Sequence, residues 1–148
     1  MNVEFVWITP APRGKPGPAA DLYADFAGRI GHFAPCETKS YPSEAAFLLA
    51  LDKRKGRAPF LVMLDSTGRQ FTSADFARQM DRLQHAEQVV IFAIGPADGW
   101  SAAARERAGL LLSLGAITLP HQLARVVLAE QVYRAFTILA GHPYHSGH

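Results

Sequence analysis

Hydrophobic and polar positions along the chain switch period repeatedly. Asn2 to Ile8 (NVEFVWI) alternates and is rich in β-branched and aromatic residues, which predicts an opening strand. Thr9 to Pro18 follows, where four prolines and two glycines exclude regular structure. Leu22, Phe26 and Ile30 then recur at helical spacing and predict a helix over Ala19 to Ile30. A weaker strand is predicted over Cys36 to Tyr41, and a helix capped by Ser43 runs to Lys55 with Phe47, Leu48 and Leu51 inward. Phe60 to Asp65 (FLVMLD) is the continuous apolar run of a strand covered on both faces, and Ser66-Thr67-Gly68 reads as a turn. Thr72 with Asp75 resembles a capping box opening a helix to Leu83. Gln88 to Ile94 is a further buried strand, followed by the tight loop Gly95 to Gly99. Ser101 caps a helix expected through Leu112, Gly115 to Leu119 is expected as a last strand, and His121 to Leu139 is a long final helix.

Strands alternating with helices over short connections predict one α/β domain spanning residues 1–148. Its sheet is expected to be mostly parallel, with helices on both faces. In such sheets ligands bind outside the carboxyl ends of strands. The final helix is apolar around almost its whole circumference, through Leu123, Val126, Val127, Leu128, Val132, Tyr133, Phe136, Ile138 and Leu139. Such a helix must be covered on all sides, and a second copy of the chain is the expected cover.

Composition narrows the picture only a little. Hydrophobic residues make up 49% and charged residues 19% of the 148, an ordinary globular balance, and the net charge of +2 permits an RNA partner without demanding one. Cys36 is the sole cysteine, which excludes an intrachain disulfide and a cysteine-ligated metal cluster. No secretory signal pattern and no membrane-length apolar run is present, so a cytoplasmic protein with no membrane partner is expected. His142 and His145 lack a third firm ligand, and no metal is expected.

The glycines of the Gly95 loop would let backbone approach a ligand, but the loop is not GxGxxG, and no phosphate-binding lysine follows it. No nucleophile elbow is present either. On the final helix His121 and Arg125 share one face, while Glu130 and Arg134 share nearly the opposite one, so one copy cannot aim all four at a single point. Glu130 and Arg134 also have the spacing of a simple intrahelical pair. Lys53, Arg54, Lys55 and Arg57 read as a solvated helix end that RNA phosphates would also attract.

Several of these blocks, in this order, resemble the ribosomal large-subunit methyltransferase H family, a minimal SPOUT methyltransferase. They are Leu64-Asp65-Ser66-Thr67-Gly68, Gly95-Pro96 to Gly99, Leu119-Pro120-His121, Arg125-Val126, Glu130 to Ala135, and His142-Pro143-Tyr144-His145. The resemblance implies a C-terminal trefoil knot, a homodimer, and S-adenosyl-L-methionine as methyl donor. It implies methylation of large-subunit ribosomal RNA, alone or in a ribosomal particle, at N3 of a pseudouridine. Carried onto this chain, it places Leu64, Gly95, Gly99, Leu114, Gly115, Ala116, Ile117, Thr118 and Leu119 around the cofactor. Arg125, Tyr133 and His145 would face the RNA. His121, Glu130 and Arg134 are the catalytic candidates, with His121 or Glu130 to take the N3 proton. Ile94 stands where that family usually has a glycine, and the loop after it reads as one residue longer. That departure keeps open an alternative: a catalytically silent SPOUT-fold dimer that binds RNA or ribosomal particles.

Overall fold

The computed structural model describes residues 1–9, 15–86 and 88–146. Half of the proline-rich connection expected over Thr9 to Pro18 lies outside the described residues, as do Glu87 and the last two residues of the tail. The elements follow in the order β1 (Asn2–Ile8), α1 (Pro18–Ile30), β2 (Cys36–Tyr41), α2 (Glu44–Asp52), β3 (Phe60–Arg69), α3 (Ser73–His85), β4 (Val89–Ile94), α4 (Ala102–Glu106), β5 (Leu110–Leu112) and α5 (His121–Leu139). A 3₁₀ turn over Pro143–His145 closes the chain.

All five strands pair in parallel in the order β2-β1-β4-β3-β5. The central strands are buried on both faces because their two side-chain sets enter different cores. Val3, Phe5 and Trp7 of β1, with Val90, Phe92 and Ile94 of β4, face α1, α3 and α5. Val6 and Ile8, with Leu61, Met63, Ile91 and Ala93, face Phe47 of α2 and Trp100 and Ala104 beside α4. Helices therefore cover both faces, as the α/β pattern predicts. Three helix starts form as the sequence indicates. The Ser43, Thr72 and Ser101 hydroxyls accept from the Ala46, Asp75 and Ala104 amides, each at 3.1 Å.

The last strand is not where periodicity puts it. The helix expected from Ser101 to Leu112 stops at Glu106, and Leu110–Leu112 is β5, pairing with Val62 to Leu64. A short leucine-rich run has no period that separates strand from helix. The decisive residue is Gly109: its amide donates to the Leu61 carbonyl at 2.8 Å, and a Cβ there would lie 2.6 Å from the Phe60 ring. Gly115 to Leu119, expected as a strand, is a loop. It starts at Gly115 in a positive-φ conformation (128°), and Ile117 is 84% exposed.

The turn expected at Ser66 to Gly68 is absorbed into β3. The strand runs on to Arg69 with a register irregularity after Leu64, where the Asp65 carboxylate accepts from the Thr67 amide (2.8 Å) and hydroxyl (2.6 Å). Gly68 is required there, since a Cβ would meet the Leu111 backbone at 2.6 Å.

The final helix finds most of its cover within the chain. It packs on α1, α3 and the sheet, and Ala124, Val126, Leu128, Ala129, Val132, Tyr133, Ala135 and Phe136 are buried. Leu123 (49%) and Leu139 (36%) remain exposed. Its all-round apolar composition is thus explained largely by its own domain, and by itself does not call for a second copy.

Candidate active site

The carboxyl end of β4 and the irregular stretch of β3 after Leu64 open into two adjoining cavities. One, of about 220 Å³, is framed by the loop Leu114 to Leu119 and closed by Leu64 and Ala124. The other, of about 400 Å³, lies between Leu64, the loop Gly95 to Gly99, Trp100, Leu119 and His121. Leu64, Asp65, Ser66, Leu119 and Ala124 belong to both. All nine expected cofactor residues line this pair: Leu64, Gly95 and Gly99, and Leu114, Gly115, Ala116, Ile117, Thr118 and Leu119. An apolar lining broken by backbone amides and carbonyls suits a nucleoside.

Trp100 lines the larger cavity and is not among the expected residues; nor are Leu112, Ser113 and Ala124. The Trp100 indole fills the space that the absent Gly95 Cβ leaves, with ring atoms 2.7 to 3.0 Å from where that Cβ would stand, and its Nε1 donates to the Leu64 carbonyl at 3.1 Å. Gly95 is therefore a glycine for the sake of Trp100, rather than only for a ligand. Gly99, with φ of 87° and open space around it, serves the turn itself. Ile94 ends β4 at 7% exposure and counts among the core residues, and it also lines the larger cavity where the strand enters the loop. A tryptophan five residues after a loop glycine carries no motif, so no signal in one sequence marked it.

At the cavity mouth Asp65 is held charged. The Thr67 hydroxyl and amide and the Arg105 guanidinium (3.1 Å) lower its pKa against a smaller opposing effect of burial. Arg105 also donates to the Thr67 hydroxyl at 2.9 Å, which ties α4 to the irregular end of β3.

The candidate polar residues of α5 fall into two separate groups, as their helical angles require. At the amino end, Arg125 Nε donates to His121 Nδ1 at 3.0 Å, and its guanidinium lies over the Trp7 ring, 5.2 Å from the centroid. Burial foremost, then the Arg125 charge, pushes the His121 pKa down, and the nearby Gly95 backbone offsets part of this. Nδ1 accepts from a group that can only donate, so the neutral ring carries its proton on Nε2. That Nε2 is buried and has no partner in hydrogen-bond geometry.

At the carboxyl end, Glu130 Oε1 accepts from Arg134 Nε (2.9 Å), Arg134 Nη2 (2.6 Å) and the Tyr144 hydroxyl (3.1 Å). Gln131 donates to Oε2 at 3.0 Å, and the Ser73 hydroxyl donates to the Gln131 carbonyl oxygen at 3.0 Å. Arg134 also meets His145 Nδ1 at 2.9 Å and lies over Tyr144 at 5.0 Å, while Tyr133 packs edge-on against Tyr144 at 4.7 Å. Tyr133, Arg134 and His145 are thus brought together, and Arg125 is not with them.

Arg54 donates to the buried Glu4 (2.9 Å) and Arg57 to the Ala86 carbonyl (2.9 Å), so half of the basic cluster is structural. Among the described residues no three His, Cys, Asp or Glu side chains are grouped to hold a metal, and no helix is long and apolar enough to cross a membrane.

Comparison with known proteins decides the family. The family model described as Predicted SPOUT methyltransferase matches residues 1–145. Ribosomal RNA large subunit methyltransferase H of Koribacter versatilis (strain Ellin345) is 43% identical over 152 residues, covering 100% of both chains. The chain belongs to the SPOUT methyltransferases, in the methyltransferase H family. Its relative of the same name from Rhodospirillum centenum is 39% identical over 95% of this chain and 97% of its own. A probable methylase family protein from Haemophilus influenzae Rd KW20 superposes with a TM-score of 0.59 over 99% of this chain and 71% of that one. At 10% identity it shares the fold alone. The SPOUT assignment agrees with the five-stranded parallel sheet and with cavities at its carboxyl edge.

The His121 ring gives this site a testable pH signature. Its folded pKa lies below the ordinary value of about 6.5, so the unfolded chain binds more protons as acid is added. Stability is then expected to be flat at higher pH and to fall as pH drops below about 6.5. Melting temperatures at pH 7.5 and 5.5 should show a larger loss in the wild type than in His121→Gln. An equal loss in both would dissociate the ring from the acid sensitivity.

Proposed function

We propose that this SPOUT protein transfers the methyl group of S-adenosyl-L-methionine to N3 of a pseudouridine in large-subunit ribosomal RNA, acting as a homodimer in the cytoplasm. The observation that carries the reading is the pair of joined cavities, lined by all nine positions that the methyltransferase H pattern assigns to the cofactor. The relatives named as ribosomal RNA methyltransferases supply the substrate class. In this reading the sulfonium donor provides an electrophilic methyl group, and the chain's part is alignment: an in-line displacement gains most from fixed geometry.

Both expected proton acceptors are already engaged, His121 through its one ring lone pair, which Arg125 takes, and Glu130 through hydrogen bonds to each oxygen. Glu130 is better read as the group that orients Arg134. Arg134 in turn stabilises negative charge developing on the base as N3 loses its proton. His145 sits beside it to hold the RNA, while Tyr133, expected to face the RNA, is buried in the core and backs Tyr144 instead. The Arg134 group and the His121 group lie on different sides of α5, and a second copy supplying one of them to the other's cavity is the geometry that unites them. The C-terminal knot belongs to the same reading.

The test is methyl transfer from tritiated S-adenosylmethionine to large-subunit ribosomal particles that carry pseudouridine, beside particles lacking the pseudouridine synthase that makes it. Incorporation into the first alone, mapped to N3, is expected. Cofactor binding without incorporation into any particle would instead favour a silent RNA-binding dimer.

A further inference from the structure

The crevice between β1 and β4 is where the connections leave in opposite directions, from β1 outward to β2 and from β4 across β3 to β5. In parallel sheets this is the natural place for a ligand. Trp7 and Ile94 face each other in register at its edge, and Gly95 follows directly. The His121–Arg125 pair covers this crevice.

Two features of the pair lack a partner. The half-buried Arg125 guanidinium uses one nitrogen on His121 and one face on Trp7, and its two terminal nitrogens make no hydrogen bond among the described residues. No carboxylate acts on it, only burial and the Tyr23 hydroxyl. The other arginines in and just after α4, and in α5, have acidic partners: Arg105 has Asp65, Arg107 has Asp52 and Arg134 has Glu130. His121 Nε2 is the single buried side-chain nitrogen or oxygen without a well-formed hydrogen bond among the described residues; the Gly95 backbone lies beside the ring, and His121 lines the larger cavity. A buried N–H donor next to an uncompensated cation is costly unless something accepts from both.

We infer that His121 and Arg125 form one anion seat, in which Nε2–H and the guanidinium terminal nitrogens donate to a single anionic group lying over the β1–β4 crevice. Arg125 fixes the imidazole tautomer, so His121 acts as a hydrogen-bond donor that positions a ligand and not as the base that removes the N3 proton. The inference rests on the cofactor reading for its first source of anion, the amino-acid carboxylate of the methyl donor. A phosphate of the RNA backbone offers the same chemistry and is the second source.

Calorimetry on the full chain with S-adenosylhomocysteine, which keeps the carboxylate, and 5′-methylthioadenosine, which lacks it, separates these sources. A parallel arm measures binding of a pseudouridine-bearing RNA hairpin against salt. Arg125→Gln and His121→Leu are expected to weaken S-adenosylhomocysteine by tenfold or more while changing methylthioadenosine by less than twofold. His121→Gln, whose amide can still donate, should recover most of the loss. Unchanged nucleosides with tenfold weaker hairpin binding, and a salt slope shallower by about one, would place a phosphate in the seat. If neither arm moves in variants that melt like the wild type, or if His121→Gln behaves as His121→Leu, the seat is refuted. Should the wild type bind neither nucleoside, the methyl-donor reading fails by itself, and the hairpin arm still decides whether the pair holds an anion.

Discussion

Gly95→Ala is expected to cost about 3 kcal/mol of stability and to weaken cofactor binding at least tenfold. The added methyl carbon would stand 2.7 to 3.0 Å from three atoms of the Trp100 ring, well inside van der Waals contact. The ring is not the loose end of a flexible side chain. It is buried in the second core with Phe47, Ile91 and Ala104, and its Nε1 is tied to the Leu64 carbonyl. Overpacking of this kind costs about 1–3 kcal/mol. If the ring moves, the Leu64 carbonyl loses its donor at about 1–3 kcal/mol more. Because Leu64 and Trp100 both line the larger cavity, the same displacement reshapes the binding surface. Differential scanning calorimetry should show a melting temperature lower by roughly 10 °C. Gly99→Ala makes the internal control: open space surrounds it, and its penalty is backbone strain alone, about 1 kcal/mol. Equal stability of Gly95→Ala and wild type would show that the Trp100 contact is not what fixes this glycine.

That contrast also shows what a single sequence can carry. Elements came through where a local cause was strong enough to act alone. The alternation in β1, the apolar runs of β3 and β4, the hydroxyl caps of α2, α3 and α4, and the full extent of α5 were all legible for this reason. The error fell on β5, where Leu110–Leu112 is a strand only because Val62 to Leu64 present an open edge and Gly109 clears the Phe60 ring. Both causes are tertiary. The positions that the family blocks single out for the cofactor line the two cavities, since they sit on loops whose order the pattern preserves. They could not reveal Trp100, which enters through packing against Gly95, nor that Arg125 takes the His121 lone pair and Arg134 binds Glu130. Helical angles did separate His121 and Arg125 from Glu130 and Arg134, because a 19-residue helix keeps its phase whatever surrounds it.

Arg134→Lys is expected to lower the rate of RNA methylation by roughly 10²–10³-fold while leaving S-adenosylmethionine affinity within twofold, the span typical of removing one donor aimed at developing charge. Lysine keeps the positive charge beside Glu130 but loses the planar fork. Arg134 donates twice to Glu130 Oε1, meets His145 and stacks over Tyr144, and a single ammonium cannot hold all of these directions. Arg134→Ala should cost the same activity plus about 1–3 kcal/mol of stability, because it strips the guanidinium from a half-buried carboxylate. The lysine variant therefore separates chemistry from scaffolding: a protein that melts normally and binds cofactor normally but turns over slowly places the guanidinium at the reacting base. Full turnover in Arg134→Lys would leave Arg134 as the clamp that fastens the Pro143–His145 turn to α5, and the charge on the base would need another partner.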